Sequence, residues 1–184
     1  MAPMGENLAP LLNTPGHSGH TAIWFAARNG HAQVVRELLL LGAVPTMSDQ
    51  CDVSPLMAAV MYGCLETVSV LLDHGQVRYH INQRMITPPF QTALGLASVN
   101  GHDRIVSALV IYARADQIPQ GVHSALVQAV IGGHPTTVKV LLQYHNGSVP
   151  DVMMSIQAAI RRDQMVCLGL LIHHCFRPDA MQLG

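Results

Sequence analysis

The chain has 184 residues, enough for one domain with a sizeable core. Its 10 basic residues nearly balance its 11 acidic ones, and charged residues make up only 11% of the chain, against roughly 25% in an average domain. Such a surface offers no strong field for a nucleic acid backbone or an anionic membrane, and a charge-poor surface tends to associate with other proteins.

Residues 1–16 read as a tail or cap. MAPMGENLAPLL has no basic segment before an apolar run, which argues against a secretory signal. No apolar stretch reaches the ~18 residues of a membrane span. The first patterned segment is GHTAIWFAARNGHAQVVRELLLLGA, 19–43. Thr21 opens a short helix, since its hydroxyl can accept free backbone N–H groups. Ala26 and Ala27 allow close packing, and Gly30 supplies the left-handed stop of that helix. A second helix follows, with Val34-Val35 and Leu38-Leu39 spaced to bury one face, and it closes at Gly42.

The same plan returns down the chain. DVSPLMAAVMYGC at 52–64 runs from Ser54 through Ala58-Ala59 to Gly63, and its unit closes at Gly75. QTALGLASVNGH at 91–102 has Thr92 and Gly101; HSALVQAVIGGH at 123–134 has Ser124 and Gly133. The glycine spacings are 33 (Gly30 to Gly63), 38 (Gly63 to Gly101) and 32 (Gly101 to Gly133). A fifth, weaker copy is IQAAIRRDQMVCLGLL at 156–171, which carries Arg162-Asp163 where the others carry Gly and its follower. Self-similarity at this period marks a solenoid of stacked units.

These segments resemble the ankyrin-repeat family, whose units of about 33 residues are a turn and two antiparallel helices. The resemblance spans 17–175, with repeats at about 17–48, 49–81, 88–116, 120–148 and 150–175, and leaves 176–184 as a tail. It implies an all-α solenoid of about five helix-turn-helix repeats. The family's Thr-Pro-Leu-His start survives only in part, as TAIW, SPLM, TALG and SALV.

Chemistry finds no support in the pattern. The resemblance makes His31, His102 and His134 structural turn residues, while His20 and His123 lie on the hairpin side as surface or contact residues. His173-His174-Cys175 is the only dense cluster of soft ligands, and neighbours on a helix point about 100° apart, so it makes a poor chelate. There is no nucleophile elbow, no HExxH and no phosphate-cradling glycine loop. No catalytic residue, cofactor or metal is therefore expected. The four cysteines show no CxxC and no disulfide framework, which suits reduced thiols in the cytoplasm (or nucleus).

A partner protein is the expected ligand. The resemblance suggests that two successive positions before each turn glycine face a concave groove: Arg28-Asn29, Met61-Tyr62, Val99-Asn100, Ile131-Gly132 and, by alignment, Ile160-Arg161. Four of the five leading members are apolar. Exposed, they make a stripe for a partner segment; tilted back, they join the core. The connection from Gly75 to Thr92 is five residues longer than that from Gly42 to Ser54. It holds Arg78, Tyr79, Arg84 and Phe90 as candidate contacts or as a tolerated insertion.

The last second helix departs from the others. Met165, Leu168 and Ile172 stand at i, i+3 and i+7, where earlier copies are mostly polar. Covering ~300 Å² of such surface is worth roughly 7 kcal/mol. Candidate covers are the tail, a second copy, a different partner or further repeats. The expected function is a non-catalytic adaptor or regulatory module. The alternative is the targeting part of a larger enzyme, or of a bacterial effector in a host cell, to which the single lysine, Lys139, also points.

Overall fold

The computed structural model describes residues 8–85, 92–113, 121–144 and 149–175. Their helices are joined by turns and loops, and the chain divides into two compact units, 1–90 and 91–184. None of their helices is long and apolar enough to cross a membrane.

In the first unit, α1 (Ala9–Leu12) precedes two antiparallel pairs, α2 (Ala22–Arg28) with α3 (Ala32–Leu40) and α4 (Pro55–Met61) with α5 (Leu65–Leu72); a short α6 (Gly75–Tyr79) follows. The pairs stack with α2 on α4 and α3 on α5. In the second unit, α7 (Ala93–Val99) pairs with α8 (Asp103–Ala113), α9 (Gly121–Gly132) with α10 (Pro135–Gln143), and α11 (Val149–Arg161) with α12 (Met165–Cys175). First helices stack as α7, α9, α11 and second helices as α8, α10, α12.

Local chemistry explains the starts and stops. The Ser54 and Thr92 hydroxyls accept the N–H of Met57 (3.3 Å) and Gly95 (3.2 Å), capping α4 and α7. Pro55 suits the first turn of α4, where its missing N–H costs nothing. Thr21 has the same extended backbone before α2, but its buried hydroxyl makes no cap bond. The Ser124 side chain lies outside the described residues.

Each first helix ends in one turn, built five times. Gly30, Gly63, Gly101 and Gly133 take φ of 75°, 72°, 70° and 73°. The next residue's N–H returns to an alanine carbonyl: His31 to Ala26, Cys64 to Ala59, His102 to Ala97, His134 to Ala129. That back-bond satisfies carbonyls left free at a helix end. The fifth turn is the same, with Asp163 in the glycine's place at φ 54° and Gln164 N–H bonded to Ala159 at 2.8 Å. This corrects the sequence alignment by one residue, because Asp163, not Arg162, occupies the left-handed position. Aspartate tolerates that conformation better than most side chains.

Turns interlock between neighbours. A Cβ placed on Gly30 would meet Cys64 Sγ at 3.0 Å, one on Gly101 would meet His134 Nδ1 at 2.4 Å, and one on Gly133 would meet the Gln164 amide at 2.9 Å. His134 Nε2 also lies 3.0 Å from the Val99 carbonyl. Further ties are Trp24 Nε1 donating to the Val53 carbonyl (3.0 Å) and the Thr137 hydroxyl donating to Asp103. Between the helix layers lie Ile23, Leu56, Met57, Val68 and Leu71 in one unit, and Ile105, Leu109, Leu126, Leu141 and Leu171 in the other, all buried. Each such side chain contributes roughly 1.5–3 kcal/mol.

Gly75, where the sequence closes the second unit, does not itself stop α5. It begins α6, while α5 ends at Leu72 with Asp73 as its C-cap. Gly42, at φ 91°, does act as a stop.

Candidate functional site

The exposed side of the first helices in the first unit carries an aromatic cluster. Trp24 is buried. Phe25, one residue on, is 45% exposed and meets the Trp24 ring edge-on at 5.5 Å. On α4 the last helical residue, Met61, is 41% exposed and its C-cap, Tyr62, is 56% exposed. The Arg28 guanidinium lies over both the Tyr62 ring (5.1 Å) and the Trp24 ring (5.9 Å), so it bridges α2 and α4. Asn29 is exposed beside it. Helix spacing explains why these side chains share a face: Ala22, Phe25 and Arg28 stand three apart, whereas Ile23, Ala26 and Ala27 turn inward.

His20 supports this cluster from behind. Its ring stacks on Trp24 at 3.7 Å, Nδ1 lies 2.7 Å from Ser18 Oγ, and Nε2 lies 3.2 Å from Asp49 Oδ2. Asp49 Oδ1 accepts the N–H groups of Cys51 and Val53, each at 2.8 Å. His20 is therefore engaged in holding two hairpin loops together.

In the second unit, Val99 and Ile131 are only half-buried and Asn100 is exposed. They sit where α7 and α9 come closest: a Cβ on Gly132 would fall 2.4 Å from the Val99 carbonyl oxygen. Arg161 is exposed, and with the fifth turn centred on Asp163, Arg161-Arg162 align with Arg28-Asn29, the two residues before the turn. Ile160, expected in that pair, belongs elsewhere. It aligns with Ser98 and Val130, both fully buried, yet it is 64% exposed itself.

Ile160 is part of the open face of the last helix pair. The same one-residue shift aligns Leu168 with Val106 and Val138, and Ile172 with Val110 and Leu142, all buried. Leu168 is half-buried and Ile172 exposed, because no described helix lies beyond α11 and α12. The ridge of Met165, Leu168 and Ile172 is thus a row of core-type positions plus an exposed Met165. The positions matching the polar columns are Val166, Gly169 and His173. Residues 176–184 lie outside the described set.

The connection after α5 is partly helical. Val77 and Ile81 are buried and anchor it, and Gln83 Nε2 donates to Ser48 Oγ at 2.9 Å. Arg78 Nε donates to the Leu72 carbonyl at 2.7 Å, capping the end of α5. Tyr79 is 90% exposed and Arg84 is exposed. Phe90 lies outside the described residues.

Sequence reasoning missed Phe25. The signal was present, since Phe25 lies three residues before Arg28 on a helix whose other large apolar side chains face inward. Burial pushes the Cys64 and Cys167 thiols above their ordinary range, with a backbone hydrogen bond partly opposing it at Cys167. Both stay protonated near neutral pH and are poor nucleophiles. Among the described residues no group of three or more His, Cys, Asp or Glu is arranged to hold a metal ion.

Comparison with known proteins agrees with this architecture. Residues 5–85 match the family model for ankyrin repeats, three copies. "Ankyrin repeat and SOCS box protein 2" of Rattus norvegicus is 42% identical over 55 residues, covering 30% of this chain and 8% of that protein. "E3 ubiquitin-protein ligase XBAT33" of Arabidopsis thaliana is 28% identical over 163 residues, 88% of this chain and 29% of that protein. The chain thus spans less than a third of these relatives. The crystal structure of the human ASB11 ankyrin repeat domain superposes with a TM-score of 0.68 at 22% identity, covering 84% of this chain and 69% of that one. Five glycine-type turns, helix pairs stacked in two layers within each unit and the repeats matched at 5–85 give this chain the fold of an ankyrin-repeat domain.

Proposed function

We propose that the chain is a protein-recognition module that performs no chemistry itself and grips its partner with the exposed ends of its first helices. The observation that carries this reading is the cluster of Phe25, Arg28, Met61 and Tyr62. Three large apolar side chains are held in water beside a cation that two rings pin in place. Aromatic residues and arginine dominate binding hot spots, and side chains already ordered lose little entropy on binding. The relatives fit the same reading, because they match over small parts of much longer chains, among them a ubiquitin ligase and a cation channel subfamily member. A recognition part within a larger assembly is the form this function takes here.

The test is capture of the natural partner from cytosol by the 184-residue chain and by a Met61→Glu variant shown to be folded. Met61 is exposed enough that the substitution spares the core. A charge placed in the middle of an apolar contact is expected to weaken capture by about tenfold or more. Equal capture by the two chains would reject this face.

A further inference from the structure

The helices under the cluster are nearly uncharged. AIWFAAR and PLMAAVM, the sequences of α2 and α4, contain one ionisable side chain between them, Arg28. Among the described residues no carboxylate forms an ion pair with it. Its contacts are the two rings, at 5.1 and 5.9 Å from their centroids. A cation over a ring face is attracted by the ring's quadrupole but uses up none of its N–H donors. A guanidinium carries five such donors in a planar fork that matches a carboxylate. Here the fork is held between Trp24 and Tyr62, so part of the entropy of ordering a long side chain is already lost before binding.

We infer that this patch receives a partner protein segment that sets a carboxylate on Arg28 and an aliphatic or aromatic side chain against Phe25, Met61 and Tyr62. The inference rests on the reading above that this face is the recognition surface. Charge complementarity selects the occupant. The exposed positions of the two helices offer one positive charge and no negative one, so an acidic side chain is attracted and a basic one repelled. A nucleic acid fits poorly, because a phosphate backbone is bound through several cations and this face has one.

The experiment pans a displayed random peptide library against the full 184-residue chain and measures the enriched peptides by titration. Enriched peptides are expected to carry Asp or Glu near a large apolar residue. Their affinity is expected to fall about tenfold in Arg28→Gln, to be partly kept in Arg28→Lys, and to weaken with added salt. Circular dichroism and the thermal midpoint of each variant establish that it is folded. Peptides without acidic residues, affinity unchanged in Arg28→Gln, or no enrichment would each overturn the inference. Loss of binding in Met61→Glu but not in Arg28→Gln would remove the carboxylate and keep the surface. Binding indifferent to both would remove the surface as well.

Discussion

Gly101→Ala is expected to destabilise the chain by about 3 kcal/mol, measured as a drop in the urea midpoint. Two costs combine. Gly101 has φ 70°, a conformation that costs an L-residue roughly 1–2 kcal/mol. Its new Cβ would also lie 2.4 Å from Nδ1 and 2.7 Å from Cγ of the His134 imidazole. That ring cannot swing aside freely, because Nε2 is placed 3.0 Å from the Val99 carbonyl. Overpacking of this kind adds about 1–3 kcal/mol. Gly75→Ala is the control. Gly75 has no positive φ, nothing lies within 4 Å of the point a Cβ would occupy there, and it begins a helix. That substitution is expected to be neutral or to stabilise by up to about 1 kcal/mol. Equal losses at the two positions would show that the turn geometry is not what sets the stability of the stack.

Leu126→Ala is expected to cost about 2–5 kcal/mol, whereas Ile160→Ala costs less than about 1 kcal/mol. Leu126 is fully buried on α9, which packs against both α7 and α11, so truncation leaves a cavity. Ile160 fills a core-type row but is 64% exposed, so its removal leaves no cavity, and alanine is the better helix former. Chemical denaturation of both variants measures the difference. A large loss at Ile160 would mean that the end of the stack is covered by part of this chain. Small losses at both positions would contradict the stacking of the first helices.

The helix pairs were legible because their punctuation is chemical. Four glycines at near-constant spacing, each four residues after the alanine whose carbonyl closes the turn, announce the turns without any tertiary information. The fifth turn was misplaced by one residue because its glycine is Asp163, and composition alone does not separate Arg162 from Asp163 as the left-handed residue. The backbone bond from Gln164 to Ala159 does. That single shift moved Ile160 from the partner row to the open end of the stack, and Leu168 and Ile172 into core-type rows. At Gly75, where the sequence closes the second unit, a short helix begins instead: a glycine can begin a helix as well as end one, and α6 depends on the tertiary burial of Val77 and Ile81. Arg78 is exposed, but the bond by which its Nε caps α5 was not legible in the sequence. The apolar row before the turns was legible as a row. Its exposure was not, since Met61 points into solvent while Val99 and Ile131 are half-buried at the close approach of α7 and α9.

Hydroxyl-radical footprinting of the chain, free and bound to its captured partner, tests the recognition surface most directly. Methionine and aromatic side chains are oxidised readily where water reaches them. Phe25, Met61 and Tyr62 are expected to be labelled in the free chain and shielded in the complex. Labelling of all three that stays the same on binding, with protection arising elsewhere, would contradict the assignment.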